Sequence, residues 1–374
     1  MSEYQYYEFR AVDRSLTSRE MASLRAISSR ADITSTSFVN TYNYSDLRGD
    51  PEEILGKYFD AFVYVANWGT HEFSLRLPKQ AFERRDYAPF CKGGGVSARL
   101  KGEHLLLRFR VEELEADWEE GEGWMDSLLP LRADLVRGDL RALYLGWLSA
   151  AGRDEDDDDQ PEPPVPPGLG DLSEPLKSLV EFLEIDPDLL ESAAEVSVEL
   201  QIAAPSKEIL AQWIAGLPEC EKDALLLQVA GGENPHVGTE LLRRFQSNLP
   251  APPTIEPMAL RTTGQLLAAA EARAQEKARR KERRKAAERA KQLDALEKRE
   301  EAAWADLDDW VSTKRQRDYD RAVLLLLDLR DVAARAGRDA GFQHRLRTIL
   351  ERHSTKSSFL RRVKAANVEV RSVP

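Results

Sequence analysis

The densest chemistry in this sequence is cationic. Between Lys277 and Lys291 stand Lys277, Arg279, Arg280, Lys281, Arg283, Arg284, Lys285, Arg289 and Lys291, opposed only by Glu282 and Glu288, a local charge of +7. Ammonium and guanidinium groups along one length of chain can contact successive phosphates or pair with carboxylates of an acidic protein surface. At 3.6 residues per turn the nine cations spread around much of a helix circumference. Hydrophobic side chains are nearly absent between them, so the segment is a poor face for membrane insertion. Three readings compete: a solvated structural helix, a protein contact and a nucleic-acid contact. An acidic run at 154 to 159 offers an intramolecular counterpart as well.

Other reactive residues make weaker sets. None of the histidines, His71, His104, His236, His344 and His353, belongs to a paired metal motif. His71, Cys91, Glu103 and His104 supply zinc-ligand types, but their separations do not prescribe a meeting. Cys91, His104 and Asp86 make a nucleophilic triad on paper, without a strand-turn-helix elbow around the cysteine. Gly93-Gly94-Gly95 beside Lys92 exposes amides, yet no Gly-Lys-Ser/Thr ending or dinucleotide glycine spacing follows, so it reads as a flexible loop. The run Asp154 to Asp159 lacks the glycine and the distributed oxygens of a tight calcium loop. No catalytic residue, metal or cofactor is therefore expected.

These residues need elements to hold them. Tyr4, Tyr6, Tyr7, Phe9 and Val12 favour an extended segment. Thr17 and Glu20 form a capping box, with Leu16 and Met21 as a staple, for a helix over 18 to 29. Thr36 to Tyr44 reads as strand, and Asp50-Pro51 with Glu53 opens a helix whose buried stripe is Ile54, Leu55, Tyr58, Phe59 and Phe62. Phe62 to Ala66, a reversal at Asn67-Trp68-Gly69, and the alternating Phe73, Leu75 and Leu77 make a hairpin. Residues 104 to 111 add a strand, and a helix runs from about Trp124 to Trp147 unless Pro130 divides it. Several of Trp68, Trp118, Trp124, Trp147, Trp213, Trp304 and Trp310 are expected in cores.

Composition then sets the organisation. The 374 residues, 42% hydrophobic with a formal charge of −12, suffice for more than one domain. The fold class expected is an α+β N-terminal domain over 1–152, followed by a predominantly α-helical C-terminal region with a long basic helix. An acidic, proline-rich linker is placed at 153–168, a small helical region at 169–249 and a proline-bearing connector at 250–261. Residues 262–374 form a long helical hairpin and terminal helices. Their coiled-coil-like seam is Leu293, Leu296, Ala303, Leu307 and Trp310, interrupted by Glu300, packing on residues 316 to 336 up to a stop at Gly337. Only Cys91 and Cys220 are present, which fits a reducing cytoplasm, and no apolar run is long enough to span a bilayer.

Tyr6-Tyr7-Glu8-Phe9, Asp13-Arg14, Leu16-Thr17 and the stretch Tyr64-Val65-Ala66-Asn67-Trp68-Gly69-Thr70 resemble the start of a group of uncharacterised bacterial proteins. The resemblance covers mainly residues 1 to 110 and implies no activity, cofactor or partner. The expectation is a non-enzymatic macromolecular binding or scaffold protein acting in a cytoplasmic assembly. Another protein is the first partner expected, nucleic acid through Lys277 to Lys291 the competitor, and an enzyme with an unrecognised site the remaining alternative.

Overall fold

The structure, a computed structural model, describes residues 3–82, 86–114, 120–151, 153, 158–199, 207–231, 241, 245, 261–313 and 315–368. Trp118, His236, the acidic residues 154–157 and most of the 250–261 connector lie outside them. The chain divides into two compact units, Met1–Ala274 and Gln275–Pro374. The first mixes strands and helices; the second is helical.

In the first unit, β1 (Gln5–Arg10), β2 (Asp32–Ile33), β3 (Ser37–Tyr42), β4 (Ala61–Ala66), β5 (Thr70–Pro78), β6 (Val96–Lys101) and β7 (His104–Val111) form an antiparallel sheet in the order β2-β3-β1-β4-β5-β7-β6. The pleat sends alternate residues to opposite faces. Tyr7 and Phe9 of β1 join a core with Phe38, Phe62, Leu106 and the helices α1 (Ser18–Ile27) and α2 (Pro51–Tyr58). Phe9 lies opposite Phe38 and Phe62 in register, and its ring stacks on Phe62 at 4.3 Å. Tyr4 and Tyr6 join the other core, with Val63, Phe73, Leu107 and Phe109. Both helix starts follow their capping chemistry: Thr17 and Glu20 form the reciprocal box, and Asp50 accepts from Glu52 N–H ahead of Pro51.

The segment read as one helix from about Trp124 to Trp147, or as two divided at Pro130, is three: α3 (Trp124–Leu128), α4 (Pro130–Arg137) and α5 (Arg141–Ala150). Pro130 has no amide to continue α3, and Gly138, at φ 102°, closes α4 in the left-handed region. Helix α5 comes close to the sheet because residue 146 is glycine; a Cβ there would stand 2.4 Å from Val96 Cγ2. Helices α6 (Glu174–Phe182) and α7 (Pro187–Ala194) complete this layer, and α8 (Lys207–Ala215) and α9 (Glu219–Gly231) follow later in the chain.

The division into compact units falls at Ala274/Gln275, not at 153–168. The described part of that stretch, 158–168, folds into the first unit. Glu162 N–H donates to Arg261 O, and Gly264 N–H to Asp158 O, at 3.0 and 2.9 Å. Proline removes amides but leaves carbonyls, and the non-proline residues between supply the donors. The carboxylate of Glu162 is buried, accepting from Tyr144 Oη and from Arg261.

Helix α10 (Thr263–Lys298) carries the chain into the second unit, where α11 (Glu300–Ser312), α12 (Gln316–Arg335), α13 (Asp339–Arg352) and α14 (Ser357–Ala365) follow. Leu293, Leu296, Ala303, Trp304, Leu307 and Val311 pack against Tyr319, Ala322, Leu326 and Leu329 of α12 and against Phe342 and Phe359. No described helix is long and apolar enough to cross a membrane.

Candidate functional site

The basic segment is held as helix by strong local chemistry. At the start of α10, well ahead of the basic segment, Thr262 Oγ1 accepts from Gln265 N–H while Gln265 Oε1 accepts from Thr262 N–H, a reciprocal capping box. From Lys277 to Lys291 the chain contains only Ala, Glu, Lys and Arg, all good helix formers. Every residue from 275 to 288 is exposed, and Arg289 is half-buried.

Residues three and four apart share a helix face, which sorts the cations into rows. The row Ala278, Glu282, Ala286, Arg289, Leu293, Leu296 runs into the buried seam; Leu293 and Leu296 are core residues. Arg289 belongs to this row. It pairs with Asp328 and Asp331 of α12 at 2.6 and 2.8 Å, and those bonds, Asp331 first, raise its pKa. Lys277, Arg280, Arg284 and Lys291 lie on the opposite side. Arg279 with Arg283 forms one flank and Lys281 with Lys285 the other, because a step of two residues turns a helix by more than half a circle.

Several arginines of the bundle are ion-paired, although Arg317, Arg321, Arg347 and Arg361 are in no ion pair among the described residues. Arg335 pairs with Asp294 at 2.8 Å, Arg338 with Glu297 at 2.8 Å and Glu300 at 2.7 Å, Arg352 with Asp308 at 2.7 Å, and Arg362 with Asp320 at 2.7 Å; Arg345 also pairs with Glu301. Within the segment, Lys285 meets Glu282 at 3.2 Å and Arg284 meets Glu288 at 3.9 Å, both exposed. Among the described residues, Arg279, Arg280, Lys281, Arg283 and Lys291 form no ion pair.

The weaker sets do not assemble. His71 lies opposite Val111 and His104 opposite Pro78, at the two ends of the β5–β7 ladder and on opposite sheet faces. His71 is buried, its Nδ1 2.7 Å from Phe182 O. Cys91 is half-buried, and burial pushes its thiol pKa up, away from the thiolate a nucleophile needs. The Asp86 carboxylate accepts from Ala88 N–H. Gly95 accepts from Arg110 N–H at 3.1 Å, which closes the glycine turn onto β7. No group of three or more His, Cys, Asp or Glu among the described residues could hold a metal.

Sequence reading missed a polar cleft of about 360 Å³ between α2 and the β5–β7–β6 face, lined by Glu72, Ser74, Ser97, Arg99, Arg108 and Arg110. Alternation along β6 and β7 signals it, since apart from Leu106 every second residue there is polar. Its cations are mostly committed: Arg99 to Glu52 at 2.9 Å, Arg110 to Glu72 at 3.0 Å, and Arg108 to Ser97 Oγ at 3.2 Å. Comparison of the chain with family models, with curated proteins and with solved structures gives no match.

Proposed function

We propose that this chain is a non-enzymatic macromolecule-binding protein, a scaffold of a cytoplasmic assembly, whose docking surface is α10 between Lys277 and Lys291. One feature carries the reading: on the exposed rows of α10, Arg279, Arg280, Lys281, Arg283 and Lys291 crowd into a single stretch of helix and, among the described residues, are in no ion pair. Charge left unmatched on an ordered helix attracts and orients an acidic partner, even though each exposed pair contributes little by itself. A partner protein would supply carboxylates and nucleic acid would supply phosphates; both use the same cations. The two free cysteines, Cys91 and Cys220, are in keeping with a reducing compartment.

The test is removal of charge without removal of helix. Replacing Arg279, Arg280, Arg283 and Arg284 together by Gln keeps long side chains of similar helix propensity. Circular dichroism and the unfolding midpoint should be unchanged, and partners that co-purify with the natural chain should be lost, as confirmed by direct binding. Undiminished binding to every verified partner, protein and nucleic acid alike, would remove the surface from consideration.

A further inference from the structure

Building on that docking surface, we infer that its partner is double-stranded DNA, with the helix seated between two phosphate walls instead of lying against one acidic face. The first reason is composition. A protein interface needs a desolvated centre of aromatic and aliphatic anchors from which charged side chains are depleted. Between Lys277 and Lys291 the largest apolar side chain is alanine. A phosphate backbone asks for cations alone, because affinity comes from the release of its condensed counterions.

The second reason is the distribution of charge around the helix. A flat acidic surface engages the row Lys277, Arg280, Arg284 and Lys291 with at most one flank. Here both flanks carry two exposed cations, Arg279 and Arg283 on one side, Lys281 and Lys285 on the other, Lys285 with Glu282 beside it at 3.2 Å. Only a partner that rises on both sides satisfies all three rows. The major groove of B-DNA is about 12 Å wide, and a helix with its side chains measures about 10–12 Å. In that seat the flanks meet phosphates on the two walls, while Arg280 and Arg284 face the base edges, where arginine donates to guanine. The deep, narrow major groove of A-form RNA does not admit the helix.

The remaining row fits as well. Ala278, Glu282 and Ala286 point the same way as Leu293 and Leu296, so the acidic Glu282 stands away from the groove, and Arg289 is retained by Asp328 and Asp331. Of the two carboxylates between Lys277 and Lys291, Glu288 is the one turned away from the seam row, and its contact with Arg284 is long at 3.9 Å.

The experiment uses the full chain and a short mixed-sequence DNA duplex, followed by fluorescence anisotropy between about 50 and 200 mM salt. Two double variants are compared, Arg279→Gln with Arg283→Gln and Lys281→Gln with Lys285→Gln, each checked for unchanged helicity. Each should weaken binding and lower the log–log salt slope by about two, one for each phosphate contact removed. A matched RNA duplex should bind more weakly than DNA. The inference is overturned if the natural chain fails to bind the duplex at the lowest salt, or if either flank can be neutralised without effect. Loss of a protein partner on the same substitutions, with no DNA binding, would sink the DNA assignment and leave the docking surface standing; loss of neither would remove both.

Discussion

Asp60 shows how much of the first unit depends on one carboxylate. It is fully buried and accepts from Val12 N–H at 2.7 Å, Asp13 N–H at 2.9 Å and the Arg76 guanidinium at 2.7 and 3.1 Å. Burial pushes its pKa up, but the two amides and Arg76 outweigh burial and hold it below the ordinary 3.8. Removing one partner of such a pair leaves the other charge buried alone, so Asp60→Asn should cost about 3–5 kcal/mol in urea unfolding. The sign of the pH effect follows from the depressed pKa. The stabilisation is complete above the unfolded carboxylate range and is lost as pH falls through the lower folded value, so the gap between natural protein and variant should close in acid. At this scale, legibility depended on distance along the chain. The Thr17 box is readable because Glu20 is three residues away, whereas Val12 and Asp13 lie 48 and 47 residues before Asp60 and leave no local pattern.

Helices α11 and α12 test packing at the next scale. Leu307 is fully buried in the centre of the bundle, while Trp310 only borders the core and Trp304 occupies the deeper place, 5.7 Å from the Phe342 ring. Leu307→Ala should therefore cost about 2–5 kcal/mol of equilibrium stability. Trp310→Ala should cost less than Trp304→Ala, and the reverse order would show that the seam is misassigned. The repeating Leu293, Leu296, Ala303 and Leu307 made the seam visible in the sequence, but spacing alone cannot rank Trp304 against Trp310. Strand β6 is the opposite case. Val96, Ala98 and Leu100 alternate with Ser97, Arg99 and Lys101, a clear period-two signal, yet the three preceding glycines read first as loop. Between 124 and 147 the division at Pro130 was readable and the second one at Gly138 was not, since the hydrophobic period persists across both.

Charge is segregated across the molecule as a whole. Residues 275 to 374 contain 26 Lys and Arg against 17 Asp and Glu, a formal +9, so the preceding 274 residues hold −21 of the total −12. That asymmetry is legible from composition; the place of the division is not. Acidic and proline-rich composition marks 153–168, but the compact units part inside α10, where neither glycine nor proline interrupts the helix. The cation rows were legible as residues and not as rows, because exposure and the loss of Arg289 to Asp328 and Asp331 depend on where α12 packs.

The apolar seam of α10 begins only at Leu293, and the exposed turns before it are kept helical by local propensity. Their amides should open to solvent by local fraying, with deuterium uptake over 276–288 far faster than over 303–311 or 322–333, measured by hydrogen exchange with mass spectrometry. A duplex gripping both flanks should slow that uptake without slowing it in the bundle core. If the proposed contact is made there, occupancy would be written in the lifetime of a few helical turns and would leave the bundle's own melting almost unmoved.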